Sequence, residues 1–282
     1  EQSPSVIWTV GQADRSASEF ALAPDRFRDF LANDFGYEDK YFLVGHSVPA
    51  ADFPYVLPGP ADTWGGTWPT SGWRTHQVNI LFGLKEIPSD GTCTLVVDLL
   101  DYAKNFLPLV KVSVNTQDAK FQLDAPGLSV ADQRKPNQME KIVDTLSITG
   151  NLAKATPRRL EIPIRPGVLK AGGNEVTITV LEGSWILFDR VSLEGPAGTN
   201  VEQPQQLFIR NIEAAPYELA DGKRRVQPLL VDLEWLEGAP ALSVELDGKE
   251  ILNQRIETGR YQLEAPMPQV KKAKKSAYRI LK

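Results

Sequence analysis

The sequence predicts an all-β protein, and three observations carry that expectation. Short runs rich in β-branched and aromatic residues, such as "HQVNILFGL" and "CTLVVDLLD", recur along the chain, bounded by Gly, Pro, Asn or Asp. Within "LVKVSVN" and "NEVTITV" apolar and polar residues alternate, the pattern of an antiparallel strand with one face on a core. No regular succession of strand and helix is present, so the repeated βαβ units of a parallel sheet are not expected.

Taken in order, the first regular element reads as a helix. "APDRFRDFLANDFG" (residues 23–36) sets Phe27, Phe30 and Leu31 at i, i+3 and i+4, with Asp25 near the start and Gly36 past the end. Strands are expected at "YFLVG", "HQVNILFGL", "CTLVVDLLD" and "LVKVSVN". "KPNQMEKIVDTLSITG" reads as another helical turn or two, after which "RRLEIPI", "NEVTITVLEG" and "SWILFDRVSLEG" resume the strands. The polar stretch from Glu194 to Gln206 has two Pro, two Gly and no strand pattern, which marks a domain boundary. Residues 1–197 suit a jelly-roll β-sandwich with a short N-terminal helix insertion. Residues 198–282 suit a smaller immunoglobulin-like β-sandwich, with strands at "QLFIRNI", "QPLLVDLEWL", "ALSVELDGKEI" and "RIETGRYQLEA". Asp247-Gly248 sits between two of these flanks as a type I′ hairpin turn.

Composition narrows the function. A chain of 282 residues can bury a substantial core in one or two domains. The net charge of −5 supplies no basic field for nucleic acid or an anionic membrane, so neither is an expected partner. No apolar run approaches the roughly 20 residues that span a bilayer. A single cysteine, Cys93, rules out an internal disulfide, and its place in an apolar run marks it as a buried small hydrophobe. The chain begins "EQSPSV" and ends in "KKAKKSAYRILK", which reads as a piece of a longer protein whose lysines lead into a further domain.

The most unusual stretch is "GPADTWGGTWPTSGWRTHQVNI", with Trp64, Trp68 and Trp73 spaced by Gly, Pro and Thr. Indole rings offer a flat apolar surface with a polar edge, which matches the CH face of a sugar. Asp62, Arg74 and His76 would supply the polar groups that read hydroxyls in such a site. The competing reading makes the rings a plug that closes one end of a sandwich. Trp64 leans toward that plug, and Trp68 and Trp73 stand between the two roles.

Other chemistry is weakly represented. Asp14, Ser16 and Ser18 form a turn-like run suited to local backbone hydrogen bonds. Asp14 with Glu19 would be a glycosidase-like carboxylate pair only if the fold brought them into register. His46 and His76 are thirty positions apart, with no cluster of zinc ligands around them. No HExxH, GxSxG or GxxxxGK[ST] is present. No cofactor is expected. A structural calcium stays open through Asp189, although one carboxylate falls short of the six to eight oxygens that ion takes. The plainer reading of Asp189 is a strand-end carboxylate held by Arg190 or by a loop N–H.

Several pieces of the first region resemble the carbohydrate-binding-module-like domain of rhamnogalacturonan lyases. They are "WTVGQADRSASEF", "YFLVGHS", "DFPYVLPGPADTW", "HQVNILFGL", "LVKVSVN" and "SWILFDRVSLEG". The resemblance implies a galactose-binding-like jelly roll in an accessory role, with the chemistry on another domain and no catalytic residue in this one. The later part, "LVDLEWLEGAPALSVELDGKEI" through "IETGRYQLEAPMP", loosely resembles the non-catalytic region preceding the catalytic domain of large bacterial α-mannosidase-like hydrolases. Together these imply a non-catalytic portion of a secreted bacterial polysaccharide-degrading enzyme, periplasmic or extracellular. Its expected partners are a plant or host glycan and the catalytic domain of the same polypeptide. The alternative is a spacer that orients a catalytic domain and never touches sugar.

Overall fold

The computed structural model describes residues 5–21, 23, 40–62, 76–87, 92–124, 147–221, 224–237 and 241–267. The chain divides into two compact units, Glu1–Glu202 and Gln203–Lys282. The expected helix over 23–36 lies outside the described residues, apart from its first alanine.

The first unit is built from β1 (Ser5–Gly11), β2 (Lys40–Leu43), a one-turn helix α1 (Pro49–Asp52), β3 (Val56–Leu57), β4 (Gln77–Leu84), β5 (Cys93–Tyr102), β6 (Leu109–Val114), β7 (Gln117–Gln122), β8 (Arg158–Ile164), β9 (Gly172–Glu182), β10 (Ile186–Gly195) and β11 (Val201–Glu202). One sheet has the order β1-β10-β5-β8, with β3 also on β10, and the other runs β11-β4-β9-β6-β7, with β2 also on β4. From β4 to β10 the chain passes repeatedly between the two sheets, as a jelly roll does. The pairings are antiparallel except for β2, which lies parallel along β4 from Val78 to Leu81. Of the sequence expected to form a second helical segment, the described end is a 3-10 turn at Ser147–Thr149.

Alternation explains the layers. Val78, Ile80, Phe82 and Leu84 of β4 face inward with Val110, Val112 and Val114 of β6 and Val176, Ile178 and Val180 of β9. From the other sheet come Cys93, Leu95, Val97 and Leu99 of β5 and Val191 and Leu193 of β10. Trp8 on β1 meets Phe82 on β4 across this layer, ring centroids 5.2 Å apart. Cys93 is buried as its surroundings predict, and burial pushes its thiol up. Phe53 is fully buried and packs on Phe20, Phe42 and Phe188 with centroids 5.1–5.8 Å apart. Tyr55, Val56 and Leu57 follow it into the core, which is why "DFPYVL" reads as apolar yet yields only a two-residue strand.

The unit extends through β11 because Val201 and Glu202 add to the edge of β4 opposite Leu84 and Gly83. The first compact unit therefore runs to Glu202, within the polar stretch where the sequence places a domain boundary.

The second unit contains a three-stranded sheet of β12 (Leu207–Ala214), β15 (Pro228–Trp235) and β18 (Gly259–Pro266), ordered β12-β15-β18. Two hairpins accompany it, β13 (Leu219–Asp221) with β14 (Arg224–Val226), and β16 (Ala241–Leu246) with β17 (Lys249–Arg255). Asp247 (φ +54°) and Gly248 (φ +74°) make the two-residue turn between Leu246 and Lys249, both in the positive-φ region a type I′ turn requires. Val231, Leu233, Trp235, Ile256 and Leu263 form its small core. The protein is thus all-β, with a β-sandwich as its main body.

Candidate functional site

The tryptophan-rich run is flanked by two described residues, Asp62 and His76. Trp64, Trp68, Trp73 and Arg74 lie outside the described residues. Asp62 is 6 % exposed, and its two carboxylate oxygens are engaged within the chain. Oδ2 accepts the Gly59 N–H at 2.8 Å, and Oδ1 accepts the Ser184 hydroxyl. This follows from the local sequence: the Pro60-Ala61 turn folds Asp62 back on Gly59, with its own N–H on the Gly59 carbonyl at 3.0 Å. His76 is fully buried at the start of β4. The two described residues that flank the aromatic run are therefore both buried in the sandwich.

Ser184 is the hub of this end. Besides its hydroxyl bond to Asp62, its N–H donates to the Phe106 carbonyl at 2.9 Å. Gly183 next to it has φ +81°, and a Cβ there would lie 2.2 Å from the Leu107 carbonyl oxygen, so only glycine fits. Gly59 is equally confined, with the Gly183 carbonyl 2.5 Å from where its Cβ would stand. Three loops, 59–62, 103–108 and 183–185, are thus pressed together. Sequence reasoning assigned Ser184 no role; the signal was "EGSW", a Gly-Ser pair interrupting two strands.

A second polar cluster fixes the neighbouring loop. The fully buried Asp101 accepts the Lys104 ammonium and the Thr156 N–H on Oδ1, each at 2.9 Å, and the Ser147 hydroxyl on Oδ2 at 2.6 Å. Lys104 also donates to the Tyr102 carbonyl at 2.9 Å and sits 3.1 Å from the centre of the Tyr102 ring. Burial pulls the Lys104 ammonium down from its ordinary range, and Asp101 works against that pull. Nothing in the apolar pattern of "VVDLLDYAKN" announced this anchor, beyond two acids inside a buried strand.

Near the start of the unit, Asp189 is buried at 7 % exposure and accepts the Arg15 N–H at 3.0 Å. Burial is the main reason its carboxyl is pushed up to about 6, the loop N–H groups of Arg15 and Ser16 oppose it, and Asp14 and Asp98 reinforce it. Asp14 in turn accepts the Ser16 N–H at 2.9 Å, an Asx turn. Glu19 accepts the Gln12 N–H at 2.9 Å, so the Asp14 and Glu19 carboxylates serve the loop's backbone. On the face of the sheet away from the core, Asp98 is held by Arg190 at 2.9 Å and Arg159 at 3.4 Å, both also within 3.7 Å of Glu194. Among the described residues no three His, Cys, Asp or Glu gather in a group that could hold a metal ion. No described helix is long and apolar enough to cross a membrane.

These features, a jelly roll whose Asp62, Asp101 and Asp189 carboxylates hold loops, coincide with a family match. The profile of the CBM-like family, polysaccharide lyase family 4, domain III, covers residues 6–193. The chain belongs to this family. Domain III is a non-catalytic domain of the lyases in which it occurs, and the first unit is accordingly a carbohydrate-related accessory domain. No curated protein matches the chain. Among solved structures, a family GH115 4-O-methyl-α-glucuronidase with specificity for decorated arabinogalactans aligns at 16 % identity and TM-score 0.24, over 43 % of this chain and 13 % of its own. A GH2 β-galacturonidase from Eisenbergiella tayi bound to galacturonate aligns at 8 % identity and TM-score 0.20, over 68 % of this chain and 29 % of its own. The chain spans less than a third of either enzyme, and at these scores neither likeness bears on function.

Proposed function

We propose that this chain is a non-catalytic accessory portion of a secreted bacterial polysaccharide-degrading enzyme, and that its first unit binds carbohydrate. Membership of the domain III family is the observation that carries the reading. Binding would use aromatic stacking by Trp64, Trp68 and Trp73, with hydroxyl hydrogen bonds from Arg74. Asp62 and His76 are buried, so their part is to root the loop. The partners are a plant or host glycan and a catalytic domain of the same polypeptide, in the periplasm or outside the cell. The fragment itself breaks no bond.

The burial of Asp62 and His76 also favours a second reading, in which the aromatic run closes the sandwich and the unit is a spacer orienting a catalytic domain. Titration of intrinsic tryptophan fluorescence with pectic, mannan and mucin-type glycans separates the two. A saturable shift with one of them, lost when Trp68 and Trp73 are replaced by Ala, supports binding. No shift with any glycan supports the spacer.

A further inference from the structure

A phenylalanine beside the Ser184 hub is left facing solvent. Phe106 is 45 % exposed, the one exposed phenylalanine among the described residues. Its loop is nevertheless fixed on every side. The Phe106 carbonyl accepts the Ser184 N–H at 2.9 Å, and the Ala103 N–H reaches the Trp185 carbonyl at 3.0 Å. Lys104 is tied to Asp101, and the Pro108 carbonyl accepts the Leu123 N–H at 3.0 Å. The close approach of Gly183 to Leu107 leaves no slack between the loops.

An apolar ring held out of the core by a rigid backbone forgoes burial worth roughly 25 cal/mol per Å². A rigid, exposed ring is also the cheapest kind of contact surface, because little entropy is lost when a ligand covers it. Next to it, the Asn105 side-chain oxygen accepts the Phe106 N–H at 3.1 Å. The Asn105 amide nitrogen makes no hydrogen bond among the described residues, which leaves it a donor to offer. An exposed apolar ring whose sequence neighbour has an amide donor to offer suits a pyranose, whose CH face is apolar and whose rim carries hydroxyls. Through Ser184 this pair is also linked to Asp62, at the root of the tryptophan-rich run.

We propose that Phe106 and Asn105 form a sugar-contacting subsite, Phe106 stacking on one pyranose ring of a polysaccharide and Asn105 donating to its hydroxyl. The inference rests on the carbohydrate-binding reading above and adds a contact surface on a different loop from the tryptophans.

The test measures binding of the full chain to polygalacturonate, rhamnogalacturonan, mannan and mucin by affinity electrophoresis, together with the thermal midpoint. Against the glycan that the wild-type chain binds, Phe106→Ala is expected to weaken affinity about 10-fold, equivalent to about 1.4 kcal/mol, while Phe106→Trp keeps it. The midpoint is expected to stay unchanged in both variants. Wild-type affinity in Phe106→Ala overturns the subsite while leaving the carbohydrate-binding reading intact. A lowered midpoint that accounts for the lost affinity also overturns it, since the ring would then be packing within the chain. Failure of the wild-type chain to bind any of the four removes the carbohydrate-binding reading, and the subsite with it.

Discussion

Replacing Asp62 by Ala separates a supporting role from a sugar contact. Asp62 is nearly inaccessible and, among the described residues, holds the Gly59 N–H and the Ser184 hydroxyl. Removing the carboxylate forfeits two hydrogen bonds to a charged group and leaves buried donors without a partner. At about 1.5 kcal/mol for each, the loss is about 3 kcal/mol. For a unit of roughly 200 residues, each kcal/mol moves the unfolding midpoint by about 2–4 °C, so a fall of about 6–12 °C is expected. Calorimetry on the full chain, following the larger unit's transition, reads this directly. Ser184→Ala is expected to cost less, about 1–2 kcal/mol, because the Gly59 bond survives. A midpoint for Asp62→Ala within about 1 °C of wild type, accompanied by lost glycan binding, would refute the reasoning and make Asp62 a ligand contact.

Three further outcomes are expected. Asp189, pushed up to about 6, binds its proton more tightly folded than unfolded, so its stabilising contribution is present below about pH 4 and lost as pH rises through 6. The difference in unfolding free energy between wild type and Asp189→Asn should therefore shift by on the order of 2 kcal/mol between pH 4 and 7, and a flat difference contradicts the burial argument. Lys104→Ala removes the counter-charge of the buried Asp101 carboxylate and should cost about 3 kcal/mol in urea unfolding, with Asp101→Asn/Lys104→Met less damaging than the single change. Among the described residues the buried Trp8 Nε1 has no hydrogen-bond partner, so Trp8→Phe should cost far less than the about 3–5 kcal/mol of Trp8→Ala; equal costs would mean the indole nitrogen is paired.

The strands that bury one face or both were legible because their apolar content follows directly from layer packing. β6 and β9 alternate cleanly, and the Asp247-Gly248 turn declares itself because few residue pairs tolerate two positive φ angles. β7, "QDAKFQ", has only Ala119 and Phe121 in alternation, too short an apolar period to declare a strand; the turn at Asn115 (φ +48°) returns the chain along β6 and sets both against the core. β11 is two residues long and is defined only by the edge it joins. The proposed site was visible in sequence only as an aromatic cluster, whose tryptophans lie outside the described residues. Its anchoring was not, because Ser184 lies 122 positions from Asp62 and Ser147 lies 46 from Asp101. Partners that remote are set by the fold and leave no local pattern. Phe106 was hidden for a related reason: an apolar residue in an apolar stretch reads as core until its exposure is seen.

Electrophoresis of the full chain through gels containing dissolved pectic polysaccharide tests the central claim most directly. The account predicts retardation that grows with polysaccharide concentration and leaves the polymer's length unchanged. Unaltered migration in pectic, mannan and mucin gels alike would contradict binding, and shortening of the polymer by the chain alone would contradict its non-catalytic role.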